Sequence, residues 1–178
     1  MIPITSTKEK ENMTYEPTSL YSEILERLYM GGTDDNDVIH LPANPYARRD
    51  DLPFDSIVTM YAWARPADWK VQEYRYGVPD ARISDMDLSR LRQAVNWGYK
   101  QWKKGDRVLI RCQAGLNRSG LVTALILIKD GMSPEDAIRT IRKNRAAIAL
   151  FNDHYVNWLM TSGEAFINQP SSQLPVSA

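Results

Sequence analysis

Cys112 and Arg118 stand with five residues between them in the run Arg111-Cys112-Gln113-Ala114-Gly115-Leu116-Asn117-Arg118-Ser119-Gly120. That spacing suits phosphoryl transfer. A loop that turns from a strand end into a helix start aims successive backbone N–H groups inward. The helix N-terminus adds partial positive charge, so the hollow accepts a tetrahedral oxyanion. In this reading Gln113, Ala114, Gly115, Leu116 and Asn117 line a phosphate cradle, and Gly115 permits a backbone angle that other residues resist. Arg118 at the far rim can fork two phosphate oxygens, and Cys112 at the near rim is the nucleophile. Cysteines at helix N-termini or beside cations fall from about 8.5 to roughly 3.5–7.5 in pKa, so Cys112 is expected to act as a thiolate. Ser119 follows the arginine, where its hydroxyl can donate to the sulfur as a phosphocysteine is hydrolysed. The competing reading is a buried structural thiol, since free cysteine is among the most buried residue types. The glycine, the serine and the strand–loop–helix setting weigh against it.

The flanking elements follow from periodicity. Residues 24–30 read as a first strand closing on Gly31-Gly32, residues 56–62 (SIVTMYA) as a buried strand and residues 71–78 as a strand ended by Pro79. Leu88, Leu91, Val95, Gly98 and Trp102 recur at helical spacing, with Asp85 or Asp87 as cap and Gly105 as terminator. A short strand at residues 107–111 precedes the loop, and an apolar helix from Arg118 to Lys129 follows it. Ser133-Pro134-Glu135-Asp136 opens another helix, and a last one starts after Asn152, burying Tyr155, Leu159 and Phe166. The class is α/β, a small central mixed sheet flanked by helices, with the catalytic loop between a strand and a helix.

A leaving alkoxide or phenoxide needs a proton, and the upstream carboxylic acids are Asp80, Asp85 and Asp87. Asp85 and Asp87 sit where a helix wants a cap. Trp63 and Trp69, around Arg65 and Pro66, either line a substrate-facing loop or pack at a strand end. Arg139, Arg142, Lys143 and Arg145 form a basic stretch that reads first as a solvated helix face.

With 178 residues, 43% hydrophobic and 25% charged, the chain fits one domain, at residues 19–167, with mobile tails expected at residues 1–18 and 168–178. Lys+Arg and Asp+Glu balance at 22 each, so nothing points to nucleic acid or an anionic membrane. One cysteine and two distant histidines, His40 and His154, do not give a zinc spacing, so no metal or other cofactor is expected. The polar MIPITSTKEKENM lacks the apolar core of a signal peptide, and the apolar run at residues 121–128 is too short for a bilayer, so a cytoplasmic place is expected. Met13 is an alternative start.

The loop, with Gly at its third position and Ser after the arginine, resembles the phosphate-binding loop of the cysteine-dependent protein tyrosine phosphatase superfamily. GLVTALILI is similar to the helix behind it, LERLYMGG to the first strand of dual-specificity phosphatases, and FNDHYVNWL to their closing helix. The likeness covers about residues 20–165. Cys112 lies too late for the low-molecular-weight group, and the chain is too short for the larger tyrosine-specific domains. The resemblance implies a dual-specificity phosphatase acting through a phosphocysteine on phosphorylated protein. It assigns Asp80, in Val78-Pro79-Asp80, as general acid on a mobile loop, with Asp85 in reserve, and Arg142 and Arg145 as a buttressing pair. Lys143-Asn144-Arg145 echoes a tyrosine-recognition loop, but it lies on the wrong side of the catalytic loop. The alternatives are a phosphoinositide or RNA 5′-phosphatase, whose loops carry more basic residues, and a catalytically weak phospho-binding module. The departure is Arg111, where the family usually has His: it brings donors and fixed charge but cannot accept.

Overall fold

The computed structural model describes residues 13–33 and 48–170; His40 and the outer parts of both expected tails lie outside the described residues. Five strands form one mixed sheet: β1 (Tyr21–Leu25), β2 (Leu28–Gly31), β3 (Ser56–Thr59), β4 (Gln72–Arg75) and β5 (Val108–Arg111). Their order is β1-β2-β5-β3-β4. β5 lies between β2 and β3 and runs parallel to both, so the loop leaving it emerges at the centre of the sheet's carboxyl edge.

The single first strand expected at residues 24–30 is instead the antiparallel hairpin β1–β2. Its tight turn sits at Glu26-Arg27, where Arg27 takes a φ of 64°. No Gly or Asn marks that turn, so the apolar run hides it. The other strands are shorter than the apolar runs that foretold them.

Four helices follow: α1 (Leu88–Lys103), α2 (Arg118–Lys129), α3 (Pro134–Asn144) and α4 (Asp153–Asn168). Asp87 is the α1 cap, accepting from the Ser89 and Arg90 N–H groups, and Ser133 caps α3 through the Asp136 N–H. α2 is buried from Arg118 to Ile128, which is why it reads as apolar on every side; it packs against α1, α3 and α4.

Side-chain alternation divides β5 between two cores. Val108, Ile110 and Cys112 face the main core, which contains the helices. Leu109 joins Leu52, Phe54, Ile57 and Val71 on the other face, where Tyr21, Tyr29 and Phe54 meet edge to face. Residues 13–18 are tied down in part: the Thr14 and Tyr15 carbonyls accept from the Ala147 and Ile148 N–H groups.

Candidate active site

The loop begins where β5 runs out of partners. The Cys112 N–H donates to the Gly31 carbonyl at 3.2 Å, and the Met60 N–H to the Arg111 carbonyl at 2.8 Å. Beyond that point the carbonyls turn outward: Gln113 accepts from the Thr33 N–H, Gly115 from Arg145 Nε, and Leu116 from the Leu150 N–H. In a planar trans peptide the following N–H points the opposite way, so the N–H groups of Ala114, Leu116 and Asn117 are directed into the hollow. Gly115 has a φ of 69°, and a Cβ there would lie 2.3 Å from the Gly31 carbonyl carbon. A Cβ on Gly32 would lie 2.7 Å from the Gln113 oxygen. Gly32 and Gly115 thus let two backbones touch, which fixes the loop against the end of β2.

Inside this frame Cys112 Sγ lies 3.3 Å from Ser119 Oγ, and both residues are buried. Arg118 is buried too. Its guanidinium donates to the Val78 carbonyl at 3.1 Å and to Gln113 Oε1 at 3.4 Å, and lies 5.2 Å from the Tyr61 ring centre. Its Nε has no acceptor among the described residues. A guanidinium held by neutral groups, with a donor to spare, is suited to an incoming dianion.

Asp80 faces this loop. Its Oδ2 accepts from Asn117 Nδ2 and its Oδ1 from Asn152 Nδ2, both at 2.9 Å. The rest of its segment is tied as well: Val78 accepts from Arg118, Pro79 from the Tyr155 hydroxyl at 3.2 Å, and Ala81 from Asn152 at 2.9 Å. Burial, and secondly the Asp80 charge, push the Tyr155 hydroxyl pKa well up, so it remains a donor throughout the neutral range. Asp85 is exposed and closes a turn on the Arg82 N–H, and Asp87 caps α1, so neither joins the site.

Arg111 points away from the thiol, as alternation requires. Fully buried on the opposite face, it donates to Thr59 Oγ1 at 2.9 Å, to the Arg65 carbonyl at 2.6 Å and to Glu73 Oε2 at 3.1 Å. Glu73 also accepts from the Ala67 N–H, and Arg75 from the same strand donates to the Ala64 carbonyl at 2.7 Å. Together they hold the loop after β3, which presents Trp63 at 84% and, further on, Trp69 at 83% exposure.

The basic stretch is not uniformly a solvated face. Arg139 pairs with Glu135 and Asp136, but Arg142 donates to the Ala149 and Leu150 carbonyls. Arg145 is buried and donates to the carbonyls of Gly115, Ser19 and Leu20 and to Ser22 Oγ. Burial pushes its pKa down to about 10.

Sequence reasoning missed the second use of Asn152 and Asn117, and it missed Tyr61. Asn152 carries the legible signal of a helix cap, and its Oδ1 does accept from the His154 N–H at 3.0 Å. That occupies only half of the amide. The described residues contain no cluster of His, Cys, Asp and Glu able to hold a metal, and no described helix is long and apolar enough to cross a membrane.

Comparison with known proteins gives the family. The model of the dual specificity phosphatase catalytic domain matches residues 64–165, a stretch containing Asp80, Cys112 and Arg118. The human phosphatidylglycerophosphatase and protein-tyrosine phosphatase 1 is 35% identical over 88 residues, spanning 46% of this chain and 42% of that protein, so less than half of the relative is matched. A putative tyrosine phosphatase, 123R, of invertebrate iridescent virus 6 is 27% identical over 141 residues, 75% of this chain and 82% of that one. The crystal structure of human DUSP28 superposes with a TM-score of 0.67 at 19% identity, covering 85% of this chain and 98% of that chain. A family match across more than half of the sequence, on the same fold, establishes that this chain belongs to the dual specificity phosphatases of the cysteine-dependent protein tyrosine phosphatase superfamily.

Proposed function

We propose that the chain hydrolyses phosphomonoesters, phosphotyrosine and also phosphoserine or phosphothreonine in proteins, through a phosphocysteine and without a metal. Residues 19–167 act as the catalytic unit, in the cytoplasm. The Cys112 thiolate attacks phosphorus while Arg118 and the loop N–H groups hold the equatorial oxygens. The P–O bond to the leaving group breaks, and the departing oxygen takes a proton from Asp80. Water then attacks the phosphocysteine, giving its proton to Asp80. The S–P bond breaks, and the Ser119 hydroxyl donates to the thiolate that is released.

The carrying observation is Cys112 Sγ at 3.3 Å from Ser119 Oγ in a loop whose far rim is a buried Arg118, its Nε without an acceptor among the described residues. The cradle side chains Gln113, Ala114, Leu116 and Asn117 are neutral, which favours a single phosphate over a polyphosphorylated head group. A second substrate class, phospholipid monoesters, draws on the human relative named for phosphatidylglycerophosphate.

The test is hydrolysis of an aryl phosphate, phosphopeptides, phosphatidylglycerophosphate and 5′-phosphorylated RNA, each in chelator, by the natural protein and Cys112→Ser. Turnover that survives chelation and vanishes in Cys112→Ser with phosphate-ester binding retained is the expected result. Near-normal turnover in Cys112→Ser overturns the mechanism, and tight binding with no turnover in the natural protein identifies a phospho-binding module.

A further inference from the structure

Asn117 occupies a cradle position, yet its side chain does not face the hollow. It is buried, and it reaches the carboxylate of Asp80. The neighbours fix which end of each amide is the donor. Asn117 Oδ1 accepts from the Asn152 N–H at 3.0 Å, and a backbone N–H can only donate. Nδ2 must therefore be the end turned to Asp80. The same logic fixes Asn152, whose Oδ1 is committed to the His154 N–H and whose Nδ2 is left for Asp80 Oδ1 and the Ala81 carbonyl. Each carboxylate oxygen thus receives one amide donor, and the Asn117 side chain is tied to the Asn152 backbone N–H.

We propose that Asn117 is a positioning residue for the general acid, holding Asp80 over the catalytic loop so that the loop binding the phosphate also aims the proton at the leaving oxygen. This rests on the reading of Asp80 as the acid. The neighbouring residue in the chain, Arg118, holds the Val78 carbonyl of the same segment, so two successive loop residues grip the acid segment from below while Asn152 and Tyr155 grip it from α4. The acid is therefore in place before substrate arrives, where the expected mobile loop would have to close first. An amide suits the task because it accepts from α4 and donates to Asp80 at once, which a single hydroxyl hydrogen and a shorter side chain cannot do across the same span.

The test compares Asn117→Ala, Asp80→Asn and the double variant on two esters. Phenyl phosphate needs its leaving oxygen protonated; dinitrophenyl phosphate departs as a stable anion. Inhibition by inorganic phosphate reports whether the cradle is intact. The expected result is that Asn117→Ala lowers kcat on phenyl phosphate about tenfold more than on the activated ester, with phosphate inhibition changed less than about threefold. In the Asp80→Asn background the selective loss from Asn117→Ala should disappear, because the two residues act as one unit. Equal losses on both esters, or a selective loss that adds to that of Asp80→Asn, overturn the proposal. If Asp80→Asn is itself unselective, the acid assignment has failed and the positioning role falls with it, which is a different pattern from a selective Asp80→Asn beside an unselective Asn117→Ala. Asn117→Ser, which keeps a hydroxyl but not the reach, must show the same selective loss, so a poorly folding alanine variant leaves the question answerable.

Discussion

Cys112 Sγ and Ser119 Oγ are 3.3 Å apart across the first turn of α2, both buried, with no other described side chain hydrogen-bonded to the sulfur. Such a hydroxyl helps a departing thiolate more than an attacking one, because the attack consumes negative charge on sulfur and the release restores it. A hydrogen bond to a charged group contributes about 1.5–3 kcal/mol, or roughly 10–100-fold in the step concerned. Ser119→Ala is therefore expected to slow phosphocysteine hydrolysis by that factor. Stopped-flow release of the aryl alcohol should show a burst approaching one equivalent; a low rate without a burst would place Ser119 in the first step.

Arg118→Lys keeps the charge but not the planar two-point grip. Its kcat/KM should fall well over about tenfold, equivalent to about 1.4 kcal/mol of transition-state stabilisation. Steady-state kinetics decide this, and a smaller loss argues against a bidentate hold.

Gly115→Ala combines a φ of 69° with a Cβ aimed at the Gly31 backbone, which is rigid sheet. Strain of this kind costs on the order of 1–3 kcal/mol, and the loop carbonyl held by Arg145 must shift with it. Denaturant unfolding should give a loss of at least about 2 kcal/mol, together with much weaker phosphate inhibition.

Arg111→Met separates the sheet's two faces. The loss of the buried Arg111 leaves Glu73 with Arg75 at 2.7 Å and the Ala67 N–H, so the expected cost is about 1–3 kcal/mol and not a full uncompensated charge. Because the side chain lies opposite Cys112, kcat of the folded fraction should change less than about threefold. A large selective effect on thiol alkylation would show that the arginine reaches the nucleophile after all.

Peroxide should inactivate the enzyme at Cys112, and the chain has no second cysteine to resolve a sulfenic acid. Recovery should require an external thiol. Mass spectrometry finding Cys112 unmodified in inactivated protein would contradict this.

The catalytic loop, α1 to α4 and the caps at Asp87, Ser133 and Asn152 were legible because each rests on a local rule: a spacing, a period, a cap. The hairpin was not, because the Arg27 turn uses a residue that gives no sign of positive φ. The meaning of Arg111 was half legible. Alternation along residues 108–112 already places it opposite Cys112, but its partners Thr59, Arg65 and Glu73 come from other strands and a loop, and no local pattern joins them. The pairing of Asn117 with Asp80 was hidden for the same reason: 37 residues separate them, and each has an adequate local explanation.

The Arg145 guanidinium has its acceptors in two places, the catalytic loop at Gly115 and the chain at residues 19–22. The residues entering β1 are thus solvation for a buried cation that stands beneath the phosphate cradle. Trimming the chain back to Tyr21, or fusing a tag directly onto β1, would strip that cation of the Ser19 and Leu20 carbonyls and show up as poor catalysis, although every residue of the catalytic motif were intact. Expression of an active fragment therefore has its boundary upstream of Ser19, and activity itself becomes a gauge of whether the N-terminal segment is seated.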